Sequence, residues 1–130
     1  MGLNEKRQLK ALQDTTFPER TRELAEICGC PITYEVDWPS LADDLEALNY
    51  IDNLSCHRIN MAFRLICTDQ LGKDALKEGL KTIRLKNVKD PKDMKMSFAN
   101  GVLEMHCAYA KGVSGMFQDG DIRKLVIDGL

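Results

Sequence analysis

The dipeptide Asn100-Gly101 is the feature that most constrains how this chain can fold. Asn-Gly is the preferred pair for a two-residue type I′ turn, because both central residues of that turn need positive φ. Such a turn fixes the register of the flanking strands, so that Ala99 faces Val102, Phe98 faces Leu103, Ser97 faces Glu104, Met96 faces Met105, Lys95 faces His106 and Met94 faces Cys107. The large apolar pairs share one face and Lys95, Glu104 and His106 share the other. The pattern therefore predicts a hairpin with one buried face.

Further elements follow from the period of the apolar residues. Strict alternation over residues 32–38 predicts a half-buried strand, and residues 83–88 are a second candidate strand. A helix over about residues 56–70 is apolar at most positions, which indicates the central and most buried helix. Thr16-Phe-Pro-Glu19 resembles a capping box and predicts a helix start. Ser40 is expected to begin a helix that runs to about residue 53, and Ser55 is expected to begin the 56–70 helix.

These elements predict an α+β fold in a single domain. We expect an antiparallel sheet of three to four strands that includes the Asn100-Gly101 hairpin, with one face packed by the 56–70 helix and flanking helices. Residues 1–15 read as a polar helical arm and residues 16–130 as the domain. The length of 130 residues is ordinary for one domain.

Charge is segregated along the chain. Residues 23–57 contain no Lys or Arg and carry a net charge of −8, whereas residues 58–111 carry a net charge of +5. The two halves could cancel by packing together, could pair between copies of the chain, or could bind an anionic ligand. Nucleic acid ranks low, because the basic strip from Lys73 to Lys95 has no aromatic residue between its lysines.

A polar stripe marks the otherwise apolar 56–70 helix. His57, Asn60, Arg64 and Thr68 recur at steps of three, four and four residues, so they share one face. Arg64 could hold a carboxylate or phosphate through two hydrogen bonds, and His57 could transfer a proton near neutral pH. If the protein binds a small anionic ligand, these four residues are the predicted ligand-binding site. An ordinary solvated stripe or a buried hydrogen-bond network is the competing interpretation.

The five cysteines indicate reduced thiols. Their number is odd and several fall at positions that read as core, which disfavours a secreted disulfide framework. Cys28 and Cys30 could share a soft metal ion, but the usual spacing of zinc-binding pairs is not met. We therefore predict no metal site and no cofactor, and keep a thiol–metal protein as an alternative function.

Function is constrained mainly by what the sequence lacks. It shows no nucleophile elbow, zincin helix, dinucleotide fingerprint or kinase motif, and no catalytic residue is assigned. No apolar run approaches the length of a membrane helix and no targeting signal is visible, so we expect a soluble cytoplasmic protein. The leading hypothesis is a non-enzymatic protein-interaction or self-assembly module, in the form of a homodimer. The alternatives are the small anionic-ligand binder or small enzyme that uses the His57, Asn60 and Arg64 stripe, and the thiol–metal protein.

Overall fold

A computed structural model describes residues 2–130. In this part of the chain the helices are α1 (Leu3–Ala11), α2 (Phe17–Cys28), α3 (Leu45–Ile51), α4 (His57–Ile66), α5 (Gln70–Gly79) and α6 (Asp119–Gly129). The strands are β1 (Thr33–Val36), β2 (Thr82–Asn87), β3 (Lys95–Ala99) and β4 (Val102–Cys107). Mixed helix and strand content agrees with the predicted α+β class.

The sheet is mixed rather than antiparallel, which corrects the predicted topology. Its strand order is β1-β2-β4-β3; β1 pairs parallel to β2, β2 pairs parallel to β4, and only β3 and β4 are antiparallel. Parallel neighbours need a long crossover, and α3, α4 and α5 provide it between β1 and β2. The hairpin strand β3 lies at one edge, so β4 takes the place beside β2.

The hairpin register is confirmed. β3 and β4 pair from Ala99 with Val102 to Lys95 with His106, as the turn predicted. Asn100 has a φ of 55° and Gly101 a φ of 79°, the positive values that the turn requires. The ladder ends at Lys95, so the predicted pair of Met94 with Cys107 falls outside it.

Helices cover one face of the sheet. Along β2 and β4 every second residue is buried, and the apolar ones join the core with Phe63 of α4 and Val126 of α6. Helix α4 packs between α2 and α6. The other sheet face carries the alternate residues, which are exposed or half-buried: Glu35, Arg84, Lys86, Lys95, Glu104 and His106.

The N-terminal helix is continuous through a π-helical turn, and the capping-box prediction is wrong. Residues Leu12–Thr16 form the π turn between α1 and α2, and Thr16 has helical dihedral angles and makes no side-chain cap. Pro18 has no N–H for a normal helical bond, so the local widening accommodates a residue that would otherwise interrupt the helix. Leu12 is buried in the core. The division of the chain into an arm and a domain stays a prediction.

A second π-helical turn joins α3 to α4. Residues Asp52–Cys56 form it, so the two helices predicted to meet near Ser55 are one run from residue 45 to residue 66. Ser40 does not begin α3; the Asp44 carboxylate caps it by accepting a hydrogen bond from the Ala47 N–H at 3.0 Å. The predicted 56–70 helix ends at Ile66, and Asp69 then caps α5.

Candidate interaction surface

Exposed aliphatic side chains meet in one groove between α4, α5 and α6. Leu65 is 52% exposed, Leu71 80%, Ile127 51% and Leu130 41%. All four line one cavity of about 350 Å³. Scattered exposed aliphatic residues are ordinary, but contiguous ones mark interaction sites. We call these four side chains and the depression between them the aliphatic groove.

The first turn of α5 presents Leu71 to solvent. The Asp69 carboxylate accepts a hydrogen bond from the Gly72 N–H at 2.8 Å. A Cβ on Gly72 would lie 1.8 Å from the carbonyl oxygen of Ile66, so this turn packs directly against the end of α4. Successive residues of a helix are rotated by about 100°. Leu71 therefore points away from the contact that Gly72 makes.

Close packing also places the last turn of α6 at the groove. A Cβ on Gly79 would lie 2.5 Å from Cδ2 of Leu130, and a Cβ on Gly129 would lie 2.5 Å from Cδ2 of Phe98. The C-terminal turn of α6 therefore contacts both α5 and β3 closely. This contact holds Ile127 and Leu130 beside Leu65.

Sequence analysis missed this surface because it assigned every apolar residue of α4 to the core. Ile59, Ala62 and Phe63 are fully buried, but Met61 is 37% and Leu65 52% exposed. A helix that packs on one side of a single sheet leaves part of its circumference in water. An apolar residue on the solvent side of α4, such as Leu65, was the sequence signal that could have indicated an interaction surface.

Asn60, from the predicted stripe, is the centre of a buried hydrogen-bond network. It is 1% exposed. Its Oδ1 accepts a hydrogen bond from the Tyr34 hydroxyl at 3.0 Å, and its Nδ2 donates to Glu23 Oε1 at 2.7 Å. The amide thus joins α4 to β1 and α2. Both polar ends of Asn60 are already occupied.

The other stripe residues lie apart from one another. Arg64 is more than half exposed, and its Nη2 lies 3.7 Å from Glu23 Oε1. Thr68 is exposed, donates to the Leu65 carbonyl at 3.0 Å and lines the aliphatic groove. His57 is half-buried at the start of α4. The structure thus brings Asn60 and Arg64 together at Glu23, and ligand binding by the stripe stays a prediction.

Glu23 is held in its charged form. The hydrogen bond from the Asn60 amide, together with the positive charges of Arg20 and Arg64, lowers the pKa of the Glu23 carboxyl below its ordinary value. Arg20 Nη1 donates to Glu23 Oε1 at 3.2 Å, and Arg20 Nε donates to Asp52 Oδ1 at 2.8 Å. The Arg20 guanidinium therefore links the hydrogen-bond network of Asn60 and Glu23 to the second π turn.

The five cysteines are buried free thiols. The Cys28 thiol lies near those of Cys67 and Cys30, and burial raises the pKa of the Cys28 thiol. Burial also raises the pKa of Cys107 to about 11. Within residues 2–130, no three His, Cys, Asp or Glu side chains are grouped so that they could hold a metal ion. The thiol–metal alternative stays a prediction.

A charged cluster occupies the solvent side of the sheet. His106 Nε2 lies 3.2 Å from Glu104 Oε1, and Arg84 Nε donates to Glu35 Oε2 at 2.7 Å. The hydrogen bond with His106, supported by the charges of Lys95 and Arg84, lowers the pKa of Glu104. These acidic and basic side chains satisfy one another across three strands.

Comparison with known proteins found no significant match: no family model, curated protein or solved structure resembles this chain closely enough to assign a family. None of the helices in the described residues 2–130 has the length and apolar character needed to cross a bilayer.

Proposed function

We propose that this protein is a non-enzymatic interaction module that forms a homodimer through the aliphatic groove. The observation that carries the proposal is the convergence of Leu65, Leu71, Ile127 and Leu130 on one depression. Removing apolar surface from water is the main favourable term in protein association. A protein that covers these side chains gains this hydrophobic stabilisation, which the isolated chain lacks.

A second copy of the chain is a suitable partner for this surface because both surfaces are aliphatic. Aliphatic surface is complementary to itself, as a two-fold interface requires, because the same patch then meets its own copy. The charged side chains on the helices around the groove are of both signs: Lys124 pairs with Asp128 within α6 at 2.7 Å, and Arg64 faces Glu23 at 3.7 Å. Because these charges are balanced within one copy, they do not build up a single-sign field that would repel a second copy. The net charge of −2 opposes association only weakly.

Sedimentation velocity across a wide concentration range tests the proposal. The wild-type chain is expected to shift from monomer to dimer as concentration rises. The variants Leu65→Glu and Ile127→Glu are expected to remain monomeric, because a buried unpaired carboxylate strongly opposes association. Circular dichroism should show unchanged folding, since both side chains are about half exposed.

Val113→Glu is the matched control. Val113 is also an exposed aliphatic residue, at 67%, but it does not line the groove. The control variant changes the net charge by the same amount and should dimerise like the wild type. A wild-type chain that stays monomeric at every concentration would contradict the proposal, as would dimerisation that neither groove variant weakens.

A further inference from the structure

A separate cavity of about 410 Å³ lies at the carboxyl end of β2. Three aspartates, one lysine and one asparagine are among the residues that line it: Asp43, Asp44, Asp93, Lys89 and Asn87. Asp44 and Asp93 alone outnumber Lys89, so the lining is acidic even before Asp43 is counted. A concave surface with an excess of one charge sign concentrates ligands of the opposite sign. The cavity therefore favours a cation.

Asn87 adds a buried acceptor that has no donor. The residue is 5% exposed and lines the cavity. Its Nδ2 donates to the Ser40 carbonyl at 3.0 Å, and its backbone N–H donates to Ser40 Oγ at 3.0 Å. These bonds fix the amide, but Asn87 Oδ1 accepts no hydrogen bond from any of residues 2–130. Buried acceptors in folded proteins nearly always have a donor, so this oxygen needs one that the chain does not provide.

Lys89 shows that an ammonium group suits the acidic lining. Its Nζ lies 4.0 Å from Asp44 Oδ2, and the two side chains are 81% and 17% exposed. An ion pair with so exposed a lysine contributes little, so a ligand can displace Lys89 at small cost. Asp44 stays in place, because its Oδ1 accepts a hydrogen bond from the Ala47 N–H at the start of α3.

The acidic groups are too widely spaced to share one metal ion. Among residues 2–130, no three His, Cys, Asp or Glu side chains are grouped closely enough to hold one. Apolar surface lies in the same cavity, since Pro39 and Val88 also line it. Spaced carboxylates together with apolar surface match a flexible aliphatic chain that carries more than one ammonium group.

We propose that this cavity binds a linear aliphatic polyamine. Its ammonium groups pair with the carboxylates of Asp44 and Asp93, one N–H donates to Asn87 Oδ1, and its methylene groups cover the apolar lining. Carboxylate and carbonyl oxygens accept hydrogen bonds and donate none, so they select a ligand whose polar groups are all donors. The site is separate from the aliphatic groove and does not depend on dimerisation.

NMR titration of the full chain with spermidine tests the proposal. The side-chain amide signals of Asn87 are expected to shift as Oδ1 gains a donor, and the backbone signals of Val88 and Asp93 should follow the same saturation curve. Calcium chloride at matched ionic strength is the second probe and should leave the Asn87 side-chain signals unchanged. Calorimetry gives the dissociation constant.

Two acidic variants locate the site. Asp93→Asn removes a carboxylate at an exposed position and is expected to weaken spermidine binding about tenfold, through the loss of one hydrogen bond between charged groups. Asp121→Asn makes the same change at an exposed aspartate outside the cavity and should leave binding unchanged. Asn87→Leu removes the buried acceptor and should also weaken binding. If Asn87→Leu does not fold, Asp93→Asn still tests the site.

Two lysine variants test the displacement. Lys89→Ala removes the ammonium group that competes for Asp44 and is expected to strengthen binding. Lys86→Ala changes the net charge equally at an exposed lysine outside the cavity and should have no such effect.

Three results would overturn the proposal. The first is the absence of a saturable shift of the Asn87 side-chain amide. The second is equal weakening by Asp93→Asn and Asp121→Asn, because spermidine would then be attracted only by the overall charge of the chain. The third is the same shifts with calcium, because a metal ion would then be the ligand.

Discussion

Arg20 and Asp52 connect the two π-helical turns through a bidentate ion pair. Arg20 Nε donates to Asp52 Oδ1 at 2.8 Å and Arg20 Nη2 donates to Asp52 Oδ2 at 3.0 Å. Arg20 follows the first π turn by one helical turn, and Asp52 is the first residue of the second. Less than a third of each side chain is exposed. This geometry is the one in which an ion pair contributes most, because both guanidinium donors are aligned and partly shielded from water.

The substitution Asp52→Ala is expected to lower the free energy of unfolding by about 1–3 kcal/mol, because it leaves a partly buried guanidinium without its main partner. Urea titration followed by circular dichroism measures the change. The control is Asp14→Ala, which breaks the Lys10–Asp14 pair, whose side chains are 79% and 56% exposed. That pair should contribute less than about 0.5 kcal/mol. Equal losses in the two variants would contradict the role assigned to the Arg20–Asp52 pair.

Tyr34→Phe removes the hydroxyl that donates to Asn60 Oδ1. The amide oxygen of a side chain that is 1% exposed then lacks its partner, and the expected loss of stability is about 1–2 kcal/mol. Thermal and urea unfolding both measure it. Tyr50→Phe is the matched control, since Tyr50 is 44% exposed and its hydroxyl is accessible to water. The network interpretation fails if both variants are as stable as the wild type.

The lowered pKa of Glu23 predicts that the stability of the protein depends on pH. Hydrogen bonding from Asn60 and the neighbouring arginines lower its pKa in the folded state below the ordinary value of 4.5. A carboxyl of this kind stabilises the folded state above its unfolded pKa, and the contribution is lost as pH falls through the folded pKa. The wild type should exceed Glu23→Gln in stability at neutral pH, and the difference should shrink below pH 4.5. Urea midpoints measured over this range would refute the assignment if the difference stayed constant.

Gly72→Ala is expected to destabilise the protein by about 1–3 kcal/mol, because its Cβ would lie 1.8 Å from the Ile66 carbonyl oxygen and α5 would have to move. Gly120→Ala in α6 is the control, since its Cβ meets nothing within 4 Å. Alanine has the higher helix propensity, so the control should be neutral or slightly stabilising. Calorimetric melting temperatures compare the two, and a Gly72→Ala variant as stable as the wild type would contradict the close packing of α5 on α4.

Two short sequence patterns were used to predict local structure, and one of them succeeded. The hairpin register followed from two residues, because a type I′ turn leaves only one way to align the adjoining strands. The capping-box signal at Thr16 failed although its residues are suitable, because a π turn let the helix continue toward Pro18. The residues from Thr16 to Glu19 suit a helix start, but the burial of Leu12 in the core depends on tertiary packing that these residues do not encode.

The sequence by itself determined the hairpin, the buried face of β4 and the presence of a central apolar helix, because each depends on residues close together in the chain. Only the tertiary structure decided that β2 lies parallel between β1 and β4, because strand order depends on how the intervening helices cross the sheet. It also decided which polar residues of α4 meet. Asn60 and Arg64 reach Glu23, a residue of another helix, and Leu65 and Leu71 meet Ile127 and Leu130 from the far end of the chain. The sequence offers exposed apolar positions on α4 as a local signal, but neither the hydrogen-bond network nor the aliphatic groove can be assembled from it, because contacts with distant elements complete both.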